Sequence, residues 1–135
     1  MKIAVLKENR QGETRVSATP ESVKKLINLG CSVKVQANAG HLSNFADELY
    51  LQAGADITNS IQETLENAEI ILKVSSPLCS SQLDEIDSFP EGVILIANLQ
   101  VFSNPKVISK LAEKKITAFA MELMPRITRA QSMDI

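Results

Sequence analysis

The chain has 135 residues, 44% apolar and 22% charged, with a formal net charge of −2. A single domain of this length buries roughly two-thirds of the surface its unfolded chain exposes, so it needs neither disulfides nor a metal, and the ordinary composition excludes disorder. Without Trp, with one Tyr and four Phe and with no cationic excess, the sequence lacks the stacking groups and positive field of a nucleic-acid binder.

Met1-Lys2-Ile3-Ala4-Val5-Leu6-Lys7 meets charge too early for a secretory signal and reads as a first strand. Thr19 before Pro20 predicts a helix start, Val23, Leu26 and Ile27 supply its apolar stripe, and Gly30 stops it. Further strands are expected at Ser32–Gln36, Ile70–Val74, Val93–Leu99 and Ile116–Leu123, all short and rich in Val, Ile and Leu. Helices are expected at Phe45–Ala53, from about Ser60 to Asn67, weakly within Ser80–Ile86, and after Asn104-Pro105. The β-α-β-α rhythm predicts a three-layer α/β domain with a mostly parallel, doubly wound, flavodoxin-like sheet. No apolar run approaches the ~18 residues that span a bilayer. Cys31 and Cys79 lack metal-binding spacing and His41 is the single histidine, so no metal site is expected, and free thiols suit a cytosolic setting.

Ligands of an open parallel sheet bind at the carboxyl ends of its strands. The sequence delivers Lys7, Glu8, Arg10 and Arg15 after the first strand and Lys73 at the end of the third. Asn98 and Gln100 close the fourth, and Arg126, Gln131 and Asp134 follow the fifth. Arg15, Lys73 and Arg126 thus converge on one edge, a set suited to a carboxylate or phosphate. Taken singly, Arg15 reads as a solvated loop charge, Arg126 with Asp134 as a surface ion pair, and Lys73 as a lysine that must snorkel or find a partner. His41 is assigned no role. The five glycines build no G-x-G-x-x-G cradle, so this is not a dinucleotide-phosphate domain. Lys7-Glu8 is not the paired acid of a phosphorelay receiver.

Glu13-Thr14-Arg15-Val16-Ser17-Ala18-Thr19-Pro20 resembles the signature of the N-terminal domain shared by alanine dehydrogenases and the alpha subunit of proton-translocating NAD(P) transhydrogenase. Ala39-Gly40, Ala53-Gly54-Ala55, and Glu69-Ile70-Ile71-Leu72-Lys73-Val74 with Pro77-Leu78 extend the match in register. The tail, Pro125-Arg126-Ile127-Thr128-Arg129-Ala130-Gln131-Ser132-Met133-Asp134, is similar to the transhydrogenase nicotinamide loop. In alanine dehydrogenases an Arg and a Lys hold pyruvate, and these fall on Arg15 and Lys73. The family's acid His falls where this chain has Gln100, an amide that cannot serve as general acid. The resemblance therefore favours transhydrogenase, with Arg15 and Lys73 left to hold structure or an anion.

The resemblance implies that the complete subunit binds NAD(H) between this domain and a glycine-fingerprint Rossmann domain, and that residues 1–135 are a fragment without that second domain. The fragment itself is expected to be inactive and to bind no cofactor tightly. It further implies hydride transfer to NADP on a beta subunit, coupling to a membrane domain, a dimeric full protein and a place at the cytoplasmic face of the inner membrane. Arg126 and Asp134 are expected to orient the nicotinamide carboxamide, and Gln131 to reach the ribose and ring of the NADP partner. Fragments of an alanine dehydrogenase or of a non-catalytic assembly module are the rival readings.

Overall fold

A computed structural model describes residues 1–79 and 84–123. The elements in chain order are β1 (Lys2–Val5), α1 (Pro20–Asn28), β2 (Ser32–Gln36), α2 (Asp47–Gln52), β3 (Asp56–Thr58), α3 (Ile61–Leu65), β4 (Ile70–Ser75), β5 (Ile94–Asn98), α4 (Pro105–Glu113) and β6 (Thr117–Ala120). Short 3-10 turns occupy His41–Ser43, Ile86–Ser88 and Met121–Leu123.

The strands form one six-stranded sheet in the order β3-β2-β1-β4-β5-β6, every neighbouring pair parallel. The five strands expected from the sequence lie in the flavodoxin-like order. The sixth, β3, has only three residues and is added at the edge through Lys34 opposite Asp56 and Val35 opposite Ile57. Three residues beside a turn carry too little periodicity to announce a strand. The chain direction across the sheet reverses between β1 and β4, which makes their carboxyl ends the topological switch point.

Alternation along β1 sends Ile3 and Val5 to one face and Ala4 and Leu6 to the other. The first face packs with Val33, Val35, Val23 of α1 and Tyr50 of α2; the second packs with Ile71, Leu95, Leu65 of α3, and Val107 and Leu111 of α4. Burial on both faces explains the continuous apolar strands. Thr19 caps α1 as its sequence indicates, its side chain accepting from the Ser22 N–H, and Ser60 caps α3 by accepting from the Glu63 N–H. Asn104 differs. Its side-chain amide donates to the Leu99 carbonyl at 3.1 Å and makes no cap, so α4 starts on Pro105 alone.

Of the helix expected within Ser80–Ile86, residues 80–83 lie outside the described ones. A bridge pairs Cys79 with Asp84, and the Ile86–Ser88 turn comes directly after it. The last strand stops at Ala120, three residues early, because Glu122 turns back to hydrogen-bond the end of β5. Phe119 of β6 is 55% exposed and Phe102 is 92% exposed.

Candidate functional site

The switch point is built around Lys73. Its side chain is 1% exposed, and its Nζ lies 3.3 Å from Glu8 Oε1 and 3.3 Å from Glu85 Oε2, carboxylates that are themselves 2% and 1% exposed. A lysine inside an apolar strand has to reach water or an acid, and here it has two acids. Glu8 also accepts the Val74 and Ser75 N–H groups at 3.1 and 3.0 Å, where a register shift interrupts the pairing of β4 with β5. Glu85 accepts the Leu78 N–H at 2.7 Å and the Asn9 side-chain amide at 3.4 Å. The cluster thus ties the β1 loop, the end of β4 and the 84–88 segment together. Sequence reading missed Glu85, because a glutamate in a weak helical pattern has the signature of a surface charge. The unpaired lysine in Ile-Ile-Leu-Lys-Val was the signal that some buried acid had to exist.

Arg15 is in a different state. Its guanidinium is 54% exposed and grips Glu13 through two bonds, Nε to Oε2 at 3.0 Å and Nη2 to Oε1 at 2.8 Å. The Ser75 hydroxyl donates to the same carboxylate at 2.8 Å. This fork, outweighing the upward push of burial and aided by the Arg15 N–H and Ser75, lowers the Glu13 pKa from 4.5 to about 2. A folded-state value below the unfolded one stabilises the protein above the ordinary carboxylate range, and that contribution is lost as pH falls from about 4.5 towards 2. Arg15→Gln is expected to return the Glu13 titration towards its ordinary value, measured by carbon-detected NMR of the carboxyl group; an unchanged acidic value would show that the guanidinium is not the cause.

Three hollows meet at Arg15. One of about 340 Å³ lies over the ends of β1 and β2, lined by Lys7, Glu8, Glu13, Asn38 and His41. A second, about 350 Å³, is mostly apolar and lined by Val16, Phe45, Leu72, Ile96 and Met121 together with Lys73. The third is small and polar, about 120 Å³, between the ends of β4 and β5, with Arg10, Ser75, Ser76, Asn98 and Gln100 around it. Arg10 Nε donates to the Ser76 carbonyl at 3.1 Å, while Ser76 Oγ and Asn98 Oδ1 are buried without a partner among the described residues. Two unmatched polar atoms in one hollow leave it ready for water or a polar ligand.

Of the residues expected at the site, the structure therefore brings Arg15 and Lys73 to the lining of one hollow. It gives Lys73 two carboxylate partners of its own, so the ammonium is not the open cation that the sequence pattern anticipates. Ser75, two residues further, is the β4 residue beside Arg15 and Gln100 in the polar hollow. Arg126, Gln131 and Asp134 lie outside the described residues.

The α1 N-terminus does not offer a phosphate cradle, since its Ser22 N–H is taken by Thr19 and the preceding loop has one glycine, Gly12. What the described surface fits is the ring end of a nucleotide, an apolar hollow edged by oriented hydrogen-bonding groups. No described helix is long and apolar enough to cross a membrane.

Comparison with known proteins agrees with this geometry. The family described as "Alanine dehydrogenase/PNT, N-terminal domain" matches residues 4–135. The chain is 45% identical over 136 residues to the first of the polypeptides that make up the NAD(P) transhydrogenase alpha subunit of Rhodospirillum rubrum, covering 100% of this chain and 35% of that protein. It is 37% identical over 130 residues to the alanine dehydrogenase of Methanococcus maripaludis, covering 96% of this chain and 34% of the relative. The crystal structure of transhydrogenase from Sinorhizobium meliloti superposes with a TM-score of 0.89 at 43% identity, over 99% of this chain and 39% of that one. The chain thus spans about a third of the length of the curated relatives it matches. A match along nearly the whole sequence, joined to the same α/β architecture, places this chain in the alanine dehydrogenase/PNT N-terminal domain family.

Proposed function

We propose that this domain is the N-terminal portion of a transhydrogenase alpha subunit and forms one wall of its NAD(H) cleft. The observation that carries the choice is the pairing state of Lys73: a site for pyruvate built on Arg15 and Lys73 would need an ammonium that Glu8 and Glu85 already hold at 3.3 Å. Gln100, standing in the polar hollow where the family's acid would be, has no proton to give at neutral pH. Both features argue against amino-acid dehydrogenation and leave a wall that positions a ring.

The bound dinucleotide supplies the hydride, passed to NADP⁺ on a beta subunit whose membrane partner couples the transfer to proton movement at the cytoplasmic face of the inner membrane. This chain contributes placement. Arg126 and Asp134 hold the nicotinamide carboxamide as donor and acceptor, Gln131 reaches towards the NADP partner, and the apolar hollow beside Arg15 keeps water from the ring. The phosphates are held by a glycine-rich domain of the same subunit, and the full protein is a dimer. The isolated chain, lacking that grip, neither transfers hydride nor binds NADH at micromolar concentration in calorimetry.

In the complete subunit assembled with its partners, Arg126→Ala and Asp134→Asn are each expected to slow NADH-to-NADP⁺ analogue transfer about tenfold or more, equivalent to ~1.4 kcal/mol of lost transition-state positioning. Thermal unfolding is expected to stay put. Unchanged turnover removes the assignment, and NADH-dependent amination of pyruvate by the complete protein hands the function to alanine dehydrogenase.

A further inference from the structure

β5 ends at Asn98, and the chain must turn before α4 starts at Pro105. It does so with Gln100 at φ +52°, the left-handed region that an unbranched non-glycine residue occupies at a cost of ~1–2 kcal/mol. In that conformation the Leu99 and Val101 N–H groups point the same way and form a small concavity suited to an anion. The occupant is internal. Glu122, from the turn after β6, accepts the Leu99 N–H on Oε1 at 2.9 Å and the Val101 N–H on Oε2 at 3.1 Å. On the other side of the loop, Asn104 donates to the Leu99 carbonyl at 3.1 Å and the Ser103 N–H to the Gln100 carbonyl at 2.9 Å. Burial pushes the Glu122 carboxyl upwards, but the N–H groups of Leu99, its own residue, Val101 and Gln100 bring it below the usual value, so it is ionised where the protein works.

We propose that Glu122 is a positioning residue that locks the β5–α4 loop and so fixes Gln100 on the cleft wall. Gln100 lines the polar hollow together with Arg15, Ser75 and the unpartnered Ser76 and Asn98 oxygens. Arg126 follows Glu122 by four residues in the sequence. One carboxylate therefore joins the loop that shapes the hollow to the root of the segment carrying the nicotinamide grips; this functional consequence rests on the transhydrogenase reading above, while the lock itself does not. Glutamine cannot replace the carboxylate, because its amide nitrogen would face one of the two N–H donors.

The test has two arms. In amide NMR of the 135-residue chain, E122Q is expected to move the Leu99, Gln100 and Val101 resonances and to raise their hydrogen-exchange rates about tenfold or more, while the strand amides of β1 stay unchanged. In the complete subunit, E122Q is expected to raise the KM for NADH about fivefold with a smaller change in kcat, which general destabilisation would not produce. Adding Q100N, which keeps an amide but tolerates the left-handed conformation, is expected to recover part of both signals. Unmoved loop amides overturn the lock, and moved amides with an unaltered KM overturn its positioning role. A complete wild-type subunit without transhydrogenation would instead fail the functional reading and leave the NMR result standing.

Discussion

Replacing Lys73 with methionine is expected to cost the folded chain roughly 3–5 kcal/mol, because it strands two buried carboxylates. Glu8 and Glu85 are each no more than 2% exposed, and Lys73 supplies the ammonium between them at 3.3 Å. Methionine matches the length and apolar character of the stem, so packing changes little and the charge is what is tested. A loss of this size is a large fraction of the total stability of a small domain, about 5–15 kcal/mol. Urea unfolding followed by circular dichroism at neutral pH measures it. Combining Lys73→Met with Glu85→Gln should recover part of the loss, since one stranded charge is removed while the amide can still accept from Leu78. A cost below about 1 kcal/mol would mean that the ammonium is not what keeps these acids inside. The same experiment bears on function, because a lysine that the fold needs this much is unavailable to a substrate carboxylate.

Gly40→Ala should be the next most damaging single change, at roughly 2–3 kcal/mol, from overpacking. A Cβ at position 40 would sit 2.8 Å from the Phe45 Cβ, 2.8 Å from the Phe45 carbonyl oxygen and 2.8 Å from the Tyr50 hydroxyl. None of these can retreat cheaply. The Phe45 backbone is fixed by its own N–H donating to the Gly40 carbonyl at 2.9 Å, and the Tyr50 hydroxyl donates to the Ala18 carbonyl at 2.7 Å from a fully buried ring. That burial, with Asp47 nearby, raises the Tyr50 pKa to about 12, so the donor keeps its proton across the working range. Since Ala18 precedes the α1 cap, a displaced Tyr50 would loosen the loop that carries Arg15 as well as the 40–45 turn. The expected signature is a lowered Tm together with altered exchange of the residues 13–19 amides. A stability within about 0.5 kcal/mol of the parent would show that the turn can shift as a unit.

Much of the architecture was legible in the amino-acid order. Continuous Val, Ile and Leu runs at a regular spacing specify parallel strands buried on two faces, and Thr19-Pro20 and Ser60 state where helices begin, because these signals act over a few bonds. The family, too, was legible, carried by the Glu13–Pro20 run and the spacing of Lys73. Lys73 also announced that it needed a partner. What the sequence alone could not supply was the identity of that partner or the state of the site. Glu8 and Glu85 stand 65 and 12 positions from the lysine they neutralise, and Glu122 stands 23 positions from the N–H it holds. A side chain's charge can be read from its letter, but whether that charge is free, shared or spent depends on which distant segments the sheet order brings within about 3 Å. Only folding decides that, and here it turned an apparent row of open cations into one oriented arginine beside a sealed ion cluster.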